Sequence, residues 1–146
     1  MPTRTARTAW NGTLEQGSGQ VELSSSKVGT YRVSFPKRAA DDAGGSTSPE
    51  ELIAAAHSAC YAMQLSAFIA EAGGTPQSLD VKADVTLGPD SAAGGFAITG
   101  IVLTVRGEVE GLDAAGFEAA AQKAKEGCPV SKALTGTTIT LDAGLE

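Results

Sequence analysis

Hydrophobic and polar residues alternate most regularly in the middle of the chain. Residues 79–87 carry an apolar side chain at every second position and polar side chains between them. This period of two predicts a β-strand with one face toward the core and the other toward water. Residues 96–109 are rich in β-branched side chains and predict a longer partner strand, with irregularities at Gly100 and Gly107.

The first part of the chain also favours short extended segments. Residues 21–23 and 31–35 combine β-branched and aromatic side chains with glycine at nearby turns, which predicts short antiparallel strands in a meander or a set of hairpins. Residues 39–47 hold two aspartates and two glycines without any period, and they predict a surface loop. Loops that lead into a helix often carry functional side chains.

A long helix is predicted over residues 49–72. Ser48 is a cap-forming residue, Pro49 takes the first helical position, and Glu51 follows the cap by three residues, which is a capping-box pattern. Residues 52–70 carry no charge and approach the length of a membrane span. Because polar residues interrupt this stretch and glutamates flank it, we expect a helix buried inside protein and no membrane partner.

The last part of the chain predicts a second helix, a short helical turn and a final strand. Asp113 caps the second helix, and Gly127 ends it. Cys128 then opens a helical turn through residue 134, and residues 137–141 form the last strand. This order, with hairpin-type connections, is typical of an α+β protein and not of alternating parallel βαβ units.

Length and charge narrow the class of protein. A chain of 146 residues is expected to form one domain over residues 1–146. The formal net charge is −6 and the basic residues are scattered, so we expect no nucleic acid partner. The N-terminal segment lacks an apolar run of signal-peptide length, which favours a cytoplasmic protein.

Two cysteines and a single histidine are the first candidates for chemistry. A zinc site built from Cys60, Cys128 and His57 would need a further carboxylate or water, and it lacks the close cysteine spacing of structural sites. The sequence contains no G-x-S-x-G motif that would indicate a hydrolase. It also contains no glycine-rich loop of the dinucleotide-binding type. In a cytoplasmic chain we expect both thiols to be reduced, and either catalytic or simply buried.

Each candidate side chain also has a purely structural interpretation. Cys60 fits a small apolar position of a buried helix. Cys128 lies where a helix begins and unpaired N–H groups favour a thiolate, and its structural interpretation is an incidental cysteine at a turn. His57 lies one helical turn before Cys60 and is either a base for that thiol or a core side chain. Glu50 suits the first turn of a helix, and Arg38 is either its ion-pair partner or a solvated loop cation.

Two motifs carry a resemblance to a known family. Residues 47–60 read TSPEELIAAAHSAC, and residues 128–134 read CPVSKAL. They resemble the T-x-P-E-x-L…A-x-x-A-C helix and the C-P-x-S-x-A segment of the OsmC/Ohr family of osmotically inducible and organic-hydroperoxide-resistance proteins. The similarity extends from about residue 6 to the last strand. His57 resembles the OsmC branch, because the Ohr branch tends to have tyrosine at that place.

The resemblance implies a fold, an assembly and an activity. The fold is α+β, in an intertwined homodimer whose antiparallel sheets pack around central helices, with two sites at the interface. The activity is that of a thiol-dependent peroxidase, an organic hydroperoxide reductase, without metal, haem or flavin as cofactor. By resemblance, Cys60 is the peroxidatic thiol and Cys128 is the resolving thiol.

The resemblance also implies an active-site arginine that pairs with a glutamate. Glu50, directly after the proline, takes the place of the glutamate, and we match the arginine to Arg38, with Arg32 and Arg7 as alternatives. In this hypothesis the arginine stabilises the Cys60 thiolate and polarises the peroxide, whose terminal oxygen is transferred to give a sulfenic acid and an alcohol.

The second half of the expected cycle needs an external reductant. Cys128 condenses with the sulfenic acid, and a dithiol or a lipoylated protein reopens the disulfide. Phe68, Met63 and Leu65 are candidates to line an apolar pocket for organic hydroperoxides, although core packing is the first explanation for each. The alternative functions are a non-catalytic thiol redox sensor and a small-molecule carrier.

Overall fold

The computed structural model describes residues 1–146. Six strands and four helices follow one another in the order β1 (Arg7–Asn11), β2 (Ser18–Glu22), β3 (Thr30–Val33), α1 (Phe35–Ala39), α2 (Pro49–Glu71), β4 (Thr75–Pro89), β5 (Phe96–Glu110), α3 (Ala114–Gly127), α4 (Pro129–Ala133) and β6 (Ile139–Leu145). Contacts within the chain divide it into two compact units, residues 1–52 and residues 53–146. The α+β class is confirmed, and the single domain over residues 1–146 stays a prediction.

The first unit is built on a three-stranded antiparallel sheet in the order β1-β2-β3. This sheet confirms the predicted meander. Trp10 pairs with Gly19 across β1 and β2. A Cβ atom on Gly19 would lie 2.5 Å from the Ala9 carbonyl oxygen and 3.0 Å from the indole ring, so only glycine lets the two strands and the aromatic side chain pack this closely.

A short helix replaces part of the predicted strand and loop. β3 ends at Val33, and α1 follows it directly, so the prediction of an extended segment through residue 35 is wrong at its end. The Ser34 hydroxyl accepts a hydrogen bond from the Lys37 N–H, and a proline occupies the first turn. Arg38 therefore lies on a helix and not in a loop.

The helix α2 begins where its cap predicts. The Ser48 hydroxyl accepts a hydrogen bond from the backbone N–H of Glu51, at 3.1 Å. The Glu51 carboxylate accepts a hydrogen bond from the Thr47 hydroxyl, at 2.5 Å, so the reciprocal half of the capping box is replaced by a side-chain contact. The helix ends at Glu71, shortly before Gly73, which has a φ of 90° that favours glycine.

One side of α2 forms the core of the second unit. Tyr61, Leu65 and Ile69 are fully buried against apolar side chains of β5 and α3. By length and composition α2 is also the one helix apolar enough to cross a membrane, with a mean hydropathy of 1.4, although the core helix of a globular protein passes the same test. Only 22% of its most apolar stretch is buried within the chain.

The second unit contains a three-stranded sheet in the order β4-β5-β6. β4 and β5 form the long antiparallel hairpin that the alternation predicts, whereas β6 pairs with β5 in parallel. The parallel pair corrects the expectation of antiparallel sheets joined by hairpin-type connections. Its physical basis is the crossover through α3 and α4, since parallel neighbours need a connection of this length. β6 also begins later and ends later than the predicted strand over residues 137–141.

The two glycines of β5 have different roles. The ladder between β4 and β5 shifts register next to Gly100, which confirms the predicted irregularity there. Gly107 pairs regularly with Leu79, so the irregularity predicted at that position is wrong. A Cβ atom on Gly107 would lie 2.9 Å from the Leu79 side chain and 3.1 Å from the Phe117 ring. Gly107 is therefore the place where α3 packs closely on the sheet.

Candidate active site

Two free thiols lie in contact in the second unit. Cys60 lies in α2, and Cys128 is the residue that precedes α4. Their sulfur atoms are 2.8 Å apart, although 68 positions separate the residues in the sequence. Cys128 is fully buried and Cys60 is partly exposed. Because a disulfide needs about 2.05 Å between its sulfurs, a small approach is all that separates this pair from a covalent bond.

The surroundings of Cys60 favour the thiol over the thiolate. Burial raises the pKa of the Cys60 thiol, and its contact with Cys128 raises that pKa further. The backbone N–H of Val130, in the first turn of α4, donates a hydrogen bond to the Cys60 sulfur and has the smaller, opposite effect on the pKa. From sequence, this helix start is expected to act on Cys128, whereas in the structure one of its N–H groups is directed at Cys60.

His57 and Ser131 form a second contact between the same two segments. His57 Nε2 lies 2.7 Å from Ser131 Oγ, and both residues are buried. Burial lowers the pKa of His57, so the imidazole is neutral at pH 7. Its hydrogen-bond partner is the serine and not Cys60, which favours the core interpretation over that of a base for the thiol. Ser131 is a functional candidate that no expectation from sequence named, although its place three residues after Cys128 was a usable signal.

A bidentate ion pair lies in the first unit. Arg38 Nε donates to both carboxylate oxygens of Glu50, at 3.0 and 3.1 Å, and Arg38 Nη2 donates to Oε1 at 2.7 Å. Burial alone would raise the pKa of Glu50, but the hydrogen bonds from Arg38, from its own backbone N–H and from Ser48 hold that pKa below its usual value. The carboxylate is therefore ionised at neutral pH.

The alternative arginines have no such partner. Arg7 lies on β1 and Arg32 lies on β3, and both are exposed and outside every ion pair. Arg38 is thus the arginine that the structure joins to Glu50. The expected ion-pair partner is found, and the alternative of a solvated loop cation is wrong.

An apolar cavity lies beside this ion pair. It has a volume of about 290 Å³ and is lined within the first unit by Arg38 and by apolar side chains that include Trp10, Leu14, Val33 and Leu52. Phe68, Met63 and Leu65, the expected pocket residues, do not line this cavity. Of these, Leu65 is in the core and Phe68 packs against it, while Met63 is 74% exposed.

No three histidine, cysteine, aspartate or glutamate side chains are grouped as ligands for a metal ion. Cys60, Cys128 and His57 are therefore not grouped as a set of ligands. The chemistry that this part of the chain can support is that of two neighbouring thiols.

Comparisons with known proteins agree with the motifs. A family model described as OsmC-like protein matches residues 41–142. A protein named peroxiredoxin OsmC from Escherichia coli (strain K12) is 45% identical over 137 residues, which covers 94% of this chain and 92% of that protein. An organic hydroperoxide resistance protein from Xanthomonas axonopodis pv. citri (strain 306) is 33% identical over 122 residues, which covers 82% of this chain and 83% of that protein.

A solved structure shows the same fold. The crystal structure of an organic hydroperoxide resistance protein OsmC from Legionella pneumophila has a TM-score of 0.77 to this chain at 25% identity, and the match covers 99% of this chain and 98% of that one. The residues that the family model matches include Glu50, Cys60 and Cys128, and they begin shortly after Arg38. On its sequence, its fold and the placement of its motifs, the chain belongs to the OsmC/Ohr family.

Proposed function

We propose that this protein is a peroxidase that uses two thiols to reduce organic hydroperoxides, and more weakly hydrogen peroxide, to alcohols or water. The observation that carries the proposal is the 2.8 Å contact between the free thiols of Cys60 and Cys128. The relatives named peroxiredoxin and organic hydroperoxide resistance protein support the same chemistry. The protein is then an antioxidant oxidoreductase that acts in the response to oxidative stress.

In the first step, the Cys60 thiolate attacks the terminal oxygen of the hydroperoxide. The O–O bond breaks, Cys60 becomes a sulfenic acid, and the alkoxide takes up a proton and leaves as the alcohol. Because burial and the contact with Cys128 raise the pKa of Cys60, ionisation of this thiol needs a nearby cation. In this proposal Arg38, oriented by Glu50, supplies that charge and polarises the peroxide.

In the second step, Cys128 resolves the sulfenic acid. The S–S bond forms, the S–O bond of Cys60 breaks, and the hydroxyl leaves as water with the proton of the Cys128 thiol. The sulfur of Cys128 is already in contact with that of Cys60, so direct condensation needs no large movement. Burial of Cys128 also shields the resolving thiol from competing oxidants.

An external dithiol closes the cycle. One thiolate of the reductant attacks the disulfide to form a mixed disulfide, and its second thiol displaces the protein thiol. A small dithiol or the lipoyl group of a lipoylated protein fits this chemistry, and the cycle uses no resident cofactor. Cys60 is partly exposed and Cys128 is fully buried, so the Cys60 side of the disulfide is the proposed point of attack.

The preference for organic hydroperoxides is supported by the cavity of about 290 Å³ in the first unit. Its lining is apolar, apart from Arg38 and a few hydroxyl groups. An alkyl or aryl substituent gains free energy by leaving water for such a lining, whereas hydrogen peroxide has no apolar part to bury. Trp10 and Leu52 are two of its apolar lining residues and are candidate specificity residues.

The assembly that we propose is an intertwined homodimer with sites at its interface. The exposed side of α2 is apolar and consists of Ala55, Ala56, Ala59, Met63, Ala67 and Ala70. A second copy of the chain would cover this side, so that α2 would be buried on both sides, as is expected for a helix this apolar. We further propose a cytoplasmic location, where reduced thiols and lipoylated proteins occur, with neither nucleic acid nor membrane as partner.

The decisive experiment is the intact mass of reduced protein after one equivalent of cumene hydroperoxide, with remaining thiols blocked under denaturing conditions. In the wild type we expect rapid loss of two hydrogens and of both blockable thiols. In Cys128→Ser we expect a trapped sulfenic acid, and in Cys60→Ser we expect no rapid reaction. Cys60→Ser is the matched control, since it removes the attacking sulfur but leaves the resolving one.

Two results would contradict the proposal. An unchanged mass with two blockable thiols would mean that both cysteines are packing residues. It would favour the alternative function of a small-molecule carrier. Oxidation without sustained consumption of hydroperoxide in excess dithiol would favour the redox sensor.

A further inference from the structure

Two contacts between α2 and the α4 segment lie in one antiparallel register. The first joins the sulfurs of Cys60 and Cys128, at 2.8 Å. The second joins His57 Nε2 and Ser131 Oγ, at 2.7 Å. On each segment the two residues are three positions apart, so they point to the same side of the backbone. The hydrogen bond and the thiol contact therefore hold the same two segments together.

His57 is a costly residue for its position. The side chain is fully buried, and although Nε2 has the Ser131 hydroxyl as a partner, the buried Nδ1 has no hydrogen-bond partner. An unpaired buried polar atom destabilises a fold, and an apolar side chain at this position would avoid that cost. An apolar residue, however, could not form the hydrogen bond to Ser131. This hydrogen bond is therefore the advantage that a histidine offers at this position.

We propose that His57 is a positioning residue for the resolving step: its hydrogen bond to Ser131 holds α4 against α2, and so keeps the Cys128 sulfur on the Cys60 sulfur. This inference deepens the proposed function, because it concerns the condensation of the Cys60 sulfenic acid with Cys128. His57 takes no part in the transfer of the proton, which leaves Cys128 with the departing hydroxyl as water.

The proposal has a consequence at equilibrium as well as in the rate. Two thiols that are held in contact have a high effective concentration toward each other, and this favours the disulfide over the dithiol. A loosened α4 lowers that effective concentration. The coupling is reciprocal, so formation of the disulfide also strengthens the His57–Ser131 bond.

The test is the thiol–disulfide equilibrium of the purified protein with dithiothreitol. Reduced protein and oxidised dithiothreitol exchange to protein disulfide and reduced dithiothreitol, and acid-quenched mixtures give the equilibrium constant. We expect His57→Ala and Ser131→Ala each to lower this constant about fivefold or more, the loss that corresponds to one net buried hydrogen bond. His57→Gln keeps both a hydrogen-bond donor and an acceptor of similar reach for the Ser131 hydroxyl and is expected to stay within about twofold of the wild type.

Tyr61→Phe is the matched control. The Tyr61 hydroxyl donates a buried hydrogen bond from α2 to the carbonyl oxygen of Ala121 in α3, at 2.9 Å. We expect its removal to destabilise the protein by the loss of one buried hydrogen bond without loosening α4, and so to leave the equilibrium constant unchanged. A merely structural role for His57 would instead give the same change in Tyr61→Phe as in His57→Ala.

Several outcomes would overturn the inference. The first is an unchanged thiol–disulfide equilibrium constant in His57→Ala and Ser131→Ala. The second is an equal decrease of this equilibrium constant in Tyr61→Phe. The third is a His57→Gln protein whose equilibrium constant is as low as that of His57→Ala. If His57→Ala does not fold, Ser131→Ala decides the question, because it deletes a single buried oxygen. The equilibrium needs no hydroperoxide, so a protein that fails as a peroxidase still gives a clear result for His57.

Discussion

At the scale of single residues, the ion pair of Arg38 and Glu50 shows how a buried carboxylate orients a cation. Glu50 is 7% exposed and accepts three hydrogen bonds from two nitrogens of the guanidinium. The remaining nitrogen, Nη1, donates to no side chain or carbonyl of the described chain. Because the planar group is held on one edge, its free edge keeps a fixed direction and can receive an anion or a peroxide oxygen.

The proposed role of Arg38 predicts a change in the pH dependence of the peroxide reaction. In the proposed mechanism the thiolate of Cys60 is the reactive form and Arg38 supplies the charge that stabilises it, so removal of Arg38 is expected to raise the already raised pKa of that thiol further. In Arg38→Met we expect the midpoint of the pH profile to move up by about 1 unit or more, with a rate at pH 7 lower by about tenfold or more. Stopped-flow measurement of thiol oxidation by cumene hydroperoxide across the pH range gives both values.

Arg32→Met is the control for this prediction. Arg32 was an alternative match for the same role, but it is exposed on β3 and has no carboxylate partner. We expect its substitution to leave both the midpoint and the rate at pH 7 near the wild-type values. The reverse result, with Arg32→Met impaired and Arg38→Met normal, would transfer the role to Arg32.

At the scale of elements, the packing of α3 on β5 predicts an intolerance of side chains at Gly107. A Cβ atom there would lie closer than van der Waals contact to Leu79 and to the ring of Phe117, which is 1% exposed and has little room to move. We expect Gly107→Ala to lower the free energy of unfolding by about 1–3 kcal/mol, as overpacking of a core does. Urea denaturation followed by circular dichroism measures this change.

The same strand offers a matched control in Gly100→Ala. A Cβ atom on Gly100 would meet only the carbonyl oxygen of Thr138, at 3.8 Å, which is an ordinary contact. Since alanine also restricts the unfolded chain, this variant is expected to be neutral or slightly more stable than the wild type. Equal losses in the two variants would mean that α3 does not set the requirement for Gly107.

The elements that could be predicted from the sequence are those with a local signal. The hairpin of β4 and β5 follows from a period of two, and α2 follows from its cap and its apolar length. The helix α1 is too short for a periodic signal, and its cap at Ser34 adjoins a β-rich stretch. The parallel pairing of β6 could not be predicted, because a pairing partner far along the chain leaves no mark on the strand's own pattern.

The residues of the candidate site also differ in how far the sequence predicts them. An ion pair of Glu50 with Arg38 was suggested by the residues themselves and by the motifs, and the structure contains it. The proposed roles of the cysteines came from the motifs alone, because composition left both thiols open to a packing role. The contact between His57 and Ser131 joins residues 74 positions apart, and only the fold brings them together. The apolar cavity depends on the meeting of strands, α1 and the start of α2, so none of its apolar lining was expected.

At the scale of the whole molecule, α2 has more apolar surface than the chain itself covers. One side packs in the core of the second unit, while alanines and Met63 on the other side remain exposed. A long apolar helix with one exposed side is typical of a chain that associates with a copy of itself. The proposed homodimer therefore has a consequence for solution behaviour.

Met63→Glu is expected to weaken that dimer. The side chain is 74% exposed within the chain, so the substitution leaves the fold of the single chain intact, but a second copy would have to bury the new charge. Size-exclusion chromatography with light scattering should give twice the chain mass of 14.7 kDa for the wild type and a concentration-dependent shift toward one chain for Met63→Glu. Thr86→Glu, which adds the same charge to the exposed polar face of β4, should remain dimeric. A Met63→Glu protein with the mass of the wild type at all concentrations would show that the exposed side of α2 is not the interface between copies.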